Sequence, residues 1–183
     1  MENMILTPLQ IWQDYDPEAA PLQISFTDFV KNGNKVSFKA FFNGDKFEDG
    51  APRIFVSGTY PTSPSPKILL YIKDGMGNPP PVDFVNGFTD RGFGFVEFDY
   101  SADNPDATER SRYPESVKYG EIAESKGHYC VAEPNAKGSC QYLWTTVTRR
   151  VITLIKTLSE DCKIILVGAR EGADPGRRRA GER

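Results

Sequence analysis

Hydrophobic and polar positions change rhythm several times along the chain. Between residues 36 and 41 the period is two. Val36-Ser37-Phe38-Lys39-Ala40-Phe41 alternates apolar with polar, and Ile54-Phe55-Val56-Ser57-Gly58-Thr59-Tyr60 is rich in β-branched and aromatic residues. That is the pattern of half-buried strands. Asn32-Gly33-Asn34 and Asn43-Gly44-Asp45 stand where turns should punctuate them. Two or three antiparallel strands are expected here, followed by a Pro/Ser surface connection from Pro61 to Pro66. The rhythm then becomes continuous. Lys67-Ile68-Leu69-Leu70-Tyr71-Ile72, Phe93 to Asp99 and Lys163-Ile164-Ile165-Leu166-Val167-Gly168 are short apolar runs of the kind buried on both faces of a sheet. Between the first two, Val82, Val85 and Phe88 mark a short helix that Gly92 closes. Before the third, Leu143, Val147, Val151, Leu154, Ile155 and Leu158 form one helical stripe with Ser139 as its N-cap. That stripe is read as core packing, and Arg149 and Arg150 as its exposed face, with one of them available to buttress the turn after the last strand.

Strand, helix, strand, helix, strand is the βαβ rhythm of a parallel sheet covered by helices. The expected class is α/β, with antiparallel N-terminal strands followed by parallel βαβ units, in a single domain over residues 1–172. From Tyr100 to Gly138 the chain is polar and irregular, and a loop of that length in a compact domain is usually functional. Beyond Gly172, Pro175-Gly176 breaks any helix and the composition turns to Arg, Gly and Ala. A disordered basic tail is expected over 173–183, in a chain cut short or read out of frame after Asp174.

Composition narrows the classes. Of 183 residues, 26% are charged and 39% hydrophobic, which excludes a disordered or fibrous protein. The net charge of −3 argues against a nucleic-acid or anionic-membrane binder. No apolar stretch approaches the roughly 20 residues of a membrane span, and Met1 to Leu6 lacks the features of a secretory signal. A cytoplasmic protein is therefore expected. Cys130, Cys140 and Cys162 include no CxxC, so reduced thiols are expected, with a Cys130–Cys140 bridge as the alternative. His128, Cys130, Cys140 and Glu133 do not have a recognised zinc spacing, and no metal or cofactor is expected. Asp74-Gly75-Met76-Gly77 lacks the third glycine or the GK[ST] ending of a phosphate loop.

The most informative motif follows the third apolar run. Gly168-Ala169-Arg170-Glu171-Gly172 has the glycine spacing of a nucleophile elbow, GxSxG, in which a strained strand-to-helix turn exposes the attacking residue. Plain βα-turn chemistry also uses that spacing. Arg170 stands at the middle position, and a guanidinium stays protonated, so it cannot form an acyl-enzyme.

From about Ile54 to Asp174 the chain resembles the N-terminal half of an α/β-hydrolase, in particular the acetyl xylan esterase, cephalosporin C deacetylase and dienelactone hydrolase group. Asp74-Gly75-Met76-Gly77-Asn78 stands in place of that group's HGxGG, with Asp74 for its histidine. Gly92 to Ser101 is similar to its aromatic strand ending in DxRG, with Ser101 for the arginine, and Tyr142 to Leu158 is similar to the helix before its elbow. The resemblance implies an incomplete α/β-hydrolase-like sheet and a carboxylic ester hydrolase relation. It implies that the amides of Met76 and Glu171 are the oxyanion donors and that Arg170 is a degenerate nucleophile position. The group's acid and histidine come after the elbow, whereas the single histidine here, His128, precedes it. A non-catalytic protein with an ester or carbohydrate ligand is expected, self-associating through an exposed sheet edge. The alternative is a carbohydrate- or protein-binding module that uses Tyr113, Tyr119 and Tyr129 of the 100–138 loop.

Overall fold

The computed structural model describes residues 5–73, 79–117 and 135–168. The chain starts with a five-residue helix α1 (Pro8–Trp12), fixed by its cap rather than by an apolar stripe. Thr7 Oγ1 accepts from the Gln10 amide, and Gln10 Oε1 accepts in return from the Thr7 amide, which satisfies two otherwise orphaned donors. The strands β1 (Ser25–Asn32), β2 (Lys35–Asn43) and β3 (Arg53–Pro61) follow as an antiparallel meander. Next come β4 (Lys67–Ile72), α2 (Val82–Thr89), β5 (Gly94–Phe98), a 3-10 turn (Ala136–Gly138), α3 (Cys140–Leu158) and β6 (Lys163–Gly168).

All six strands form one sheet in the order β1-β2-β3-β5-β4-β6. β5 is antiparallel to β3 but parallel to β4, and β4 is parallel to β6. The three apolar runs of the sequence therefore lie together as the parallel part of the sheet. Gly92 ends α2 as expected, with φ of +78° that only glycine adopts without cost. The Phe93 amide beyond it bonds back to the Phe88 carbonyl.

Side-chain alternation divides the core between two faces. Ile54, Val56, Ile68, Leu70, Ile72, Val96 and Phe98 pack with Leu143, Val147, Val151, Leu154 and Ile155 of α3. Full burial of a residue such as Val147 or Leu154 is worth about 1.5 to 3 kcal/mol. On the other face Tyr71 stacks on Phe95 at 5.9 Å, and Phe84 of α2 lies 5.9 Å from Tyr71 and 6.2 Å from Phe95. β6 is less covered. Its far edge meets no strand among the described residues, and Ile165, opposite Leu69, is 39% exposed.

One expectation is corrected here. Arg150 is not on an exposed face of α3 but 1% exposed, and its partners among the described residues lie in the N-terminal segment and at the end of β2. Its Nη1 donates to the carbonyls of Pro17 (2.6 Å) and Ala20 (2.7 Å), and its Nη2 to that of Asn43 (3.0 Å). The carbonyls of Pro17 and Ala20 belong to irregular chain with no ladder to join and that of Asn43 to the last residue of β2, and a planar guanidinium has enough donors to serve all three at once. Arg149, half-buried, lies over the rings of Trp12 and Tyr15, 4.8 Å from each centroid.

Candidate functional site at the strand ends

Parallel strands end at a common edge, and in open α/β sheets ligands bind outside those carboxyl ends. Here the register fixes which ends meet. Tyr71 pairs with both Glu97 and Val167, and Ile72 with Gly168. β4 and β6 therefore end side by side, at the starts of the segments that follow them. Met76, Arg170 and Glu171, the expected site residues, lie on those segments but outside the described residues. His128, Cys130, Tyr119 and Tyr129, in the loop after β5, lie outside the described residues as well.

What is described at this edge is a buried ion cluster. Lys73 follows β4 directly and Asp99 follows β5 directly, so parallel pairing brings the two together. Lys73 Nζ lies 2.7 Å from Asp99 Oδ1 and 2.5 Å from Asp103 Oδ1, with side chains only 8%, 2% and 12% exposed. Burial alone would lower the Lys73 pKa, but Asp99 and Asp103 outweigh it and hold the ammonium above its ordinary value. Asp99 also accepts the amides of Asp103 (3.2 Å) and Ser111 (2.8 Å), and Ser111 Oγ accepts that of Phe55 (2.8 Å). The Tyr100 hydroxyl donates to the Lys73 carbonyl at 2.9 Å. The end of β4, the start of the 99–112 loop and β3 are thereby tied into one unit.

Beside this clamp is a cavity of about 150 Å³ whose lining includes Ser57, Lys73, Glu97, Asp99, Asn104 and Glu109. Burial raises the Glu97 pKa, against the pull of Lys73 and a hydrogen bond from Ser57. A doubly paired ammonium is not a nucleophile, so the chemistry available to these groups is charge placement and hydrogen bonding. Among the described residues no group of three His, Cys, Asp or Glu side chains could hold a metal ion. Tyr113 is half-buried against the core and donates to the Tyr100 carbonyl, so its ring helps fold the loop that contains it. Ser101 is fully buried and donates to Asp103 Oδ1 at 2.8 Å.

Sequence reasoning passed over Lys73 and Asp103. The signal was there for Lys73 and Asp99: opposite charges directly after two apolar runs that a βαβ unit makes neighbours. Asp103 follows in an irregular loop and carried no such mark.

A mixed sheet in this order, with a helix between its parallel strands and a longer helix leading into the last, is an incomplete α/β-hydrolase-like fold. The chain is similar in structure to the acetyl xylan esterase from Paenibacillus sp. R4. The TM-score is 0.62 at 14% identity, over 90% of this chain and 51% of that one. The acetyl xylan esterase 1 from Thermoanaerobacterium sp. JW/SL YS485 gives 0.54 at 10% identity, over 82% and 45%. A CE15 glucuronoyl esterase from Teredinibacter turnerae T7901 gives 0.55 at 15%, over 95% and 47%. The chain thus spans about half the length of these structures, and at such identities the likeness is one of fold. No protein-family model matches the sequence, and no curated protein is similar to it in sequence.

Proposed function

We propose that the chain is an α/β-hydrolase-like protein related to the acetyl xylan esterase-type carboxylic ester hydrolases and that it forms no acyl-enzyme at position 170. One observation carries this reading: Gly168 ends β6 beside Ile72, so Arg170 follows the strand end at which a nucleophile elbow would stand. The site would bind a small ester or carbohydrate at the β4–β5–β6 ends, with the amides of Met76 and Glu171 as donors to its carbonyl oxygen. Arg170 would present a fixed positive charge where the fold's hydrolases attack. The uncovered edge of β6 supports self-association in addition. Among the described residues no helix is long and apolar enough to cross a membrane.

The test is hydrolysis of 4-nitrophenyl acetate by the full chain and by Arg170→Ser. Neither should exceed background, because a serine hydroxyl without an adjacent base stays a weak nucleophile. Turnover by the wild-type chain, or acetylation of the introduced serine in the Arg170→Ser variant that depends on His128, would overturn the proposal.

A further inference from the structure

Away from the strand ends, a second cavity of about 240 Å³ opens between the β2–β3 turn and the first turns of α3. Phe47, Val117, Tyr142 and Leu143 make its walls largely apolar, and Asp45 and Lys137 are the charged groups in its lining. Both are half-buried, and neither forms an ion pair among the described residues. Partial desolvation of an ammonium is normally offset by pairing, and among the described residues Lys137 has no such partner. Asp45 is built in from behind: the Tyr15 hydroxyl donates to its Oδ1 at 3.3 Å, and Tyr15 is itself packed edge-on against Trp12 and Tyr142. Burial pushes the Asp45 carboxyl up, against a hydrogen bond from Thr146 and the nearby charge of Arg150 and Arg149.

We propose that this cavity binds a small ring compound carrying a carboxylate and a hydroxyl, the carboxylate held by Lys137 and the hydroxyl donating to Asp45. The aromatic and aliphatic walls suit a flat apolar body, and small-molecule sites combine such walls with a few polar groups that fix orientation. A hydroxyl is favoured over an ammonium as the partner of Asp45, because Arg149 and Arg150 already place positive charge beside that carboxylate. The proposal is independent of the function proposed for position 170, since none of the cavity's lining residues belongs to β4 or β6.

The experiment is calorimetric titration of the full chain with 4-hydroxybenzoate, benzoate, 4-hydroxybenzyl alcohol and 4-(aminomethyl)benzoate. 4-Hydroxybenzoate should bind saturably, and loss of either polar group should weaken binding about five- to tenfold, the scale of one charge-assisted hydrogen bond at a half-exposed site. In Lys137→Ala, 4-hydroxybenzoate should fall to the affinity of 4-hydroxybenzyl alcohol, with unchanged circular dichroism. No saturable binding at millimolar concentration, equal binding of all four compounds, tightest binding of the amine, or an unaffected Lys137→Ala variant would each overturn the proposal.

Discussion

Replacing Arg150 by methionine keeps the unbranched apolar stem of the side chain and removes its donors. In the native protein the guanidinium, 1% exposed, serves the carbonyls of Pro17, Ala20 and Asn43 at 2.6, 2.7 and 3.0 Å. Hydrogen bonds to a charged group contribute about 1.5 to 3 kcal/mol each, and a buried acceptor left unmade costs about 1 to 3 kcal/mol. The three acceptors share one donor group and relax together, so their sum is an upper bound. The methionine recovers part of the loss by burying its thioether. A net destabilisation of about 3 to 5 kcal/mol is expected, a large share of the roughly 5 to 15 kcal/mol of a typical domain. Arg150→Lys keeps the charge but cannot reach three carbonyls from one nitrogen, and should lose about half as much. Urea unfolding followed by far-ultraviolet dichroism measures both, with the slope of the transition checked for constancy. A loss below about 1 kcal/mol in Arg150→Met, or Arg150→Lys as stable as the wild type, would refute the view that this residue organises the N-terminal segment.

Lys73→Met leaves Asp99 and Asp103 buried together and should cost about 3 to 5 kcal/mol at neutral pH, with part of it recovered in acid as a carboxyl takes up a proton. Because the folded protein raises the Lys73 pKa, its stabilisation is complete below the ordinary value of 10.5 and is lost as pH rises through the higher folded value. Urea midpoints should fall more steeply in that alkaline window for the wild type than for Lys73→Met, which keeps Lys39, Tyr60 and Tyr142, whose pKa values folding also raises. In Gly58→Ala the new Cβ would meet the Phe95 carbonyl oxygen at 2.6 Å and Val96 Cγ2 at 2.8 Å. Overpacking of β3 against β5 should cost about 1 to 3 kcal/mol, read as a lowered thermal midpoint. Light scattering should show wild-type self-association that Ile165→Glu abolishes, and a monodisperse wild-type monomer would remove β6 as the contact.

The parts of the fold that were legible in the sequence are those where burial imposes a period. β2 alternates because one of its faces is covered more than the other, and β3 was legible as a β-branched and aromatic run in which Ile54, Phe55 and Val56 are all buried. β4 and β5 read as unbroken apolar runs because they lie inside the sheet order; β6 has the same apolar run at the sheet edge, and the parallel grouping of the three follows from the helical patterns between them. α1 was not legible, because five residues held by a capping box have no stripe. β1 was not legible either, being exposed along its whole length. Arg150 was misread because helical periodicity describes one helix alone, whereas the groups that bury this charge come from residues 17–21 and 43. At the candidate site, the charges next to strand ends were visible once those strands were known to be neighbours. The Asp45 and Lys137 lining of the second cavity joins distant irregular segments and leaves no local pattern.

The position of β4 bears on how the chain can be made. It is synthesised before both of its neighbours, since β5 and β6 lie C-terminal to it and Lys67 finds its partner only when Lys163 has emerged. The β1–β2–β3 meander closes from local contacts as it appears, but pairing across such a separation is slow because loop-closure entropy comes before any gain. During translation the Lys67–Ile72 run therefore keeps a bare edge until Lys163 and the residues after it have emerged, open to any other strand within reach. Nascent chains on one message, spaced closely enough to touch, would offer one another the same apolar segment. For this topology, crowding at the ribosome is a hazard from which the finished sheet, with β4 enclosed on both sides, is protected.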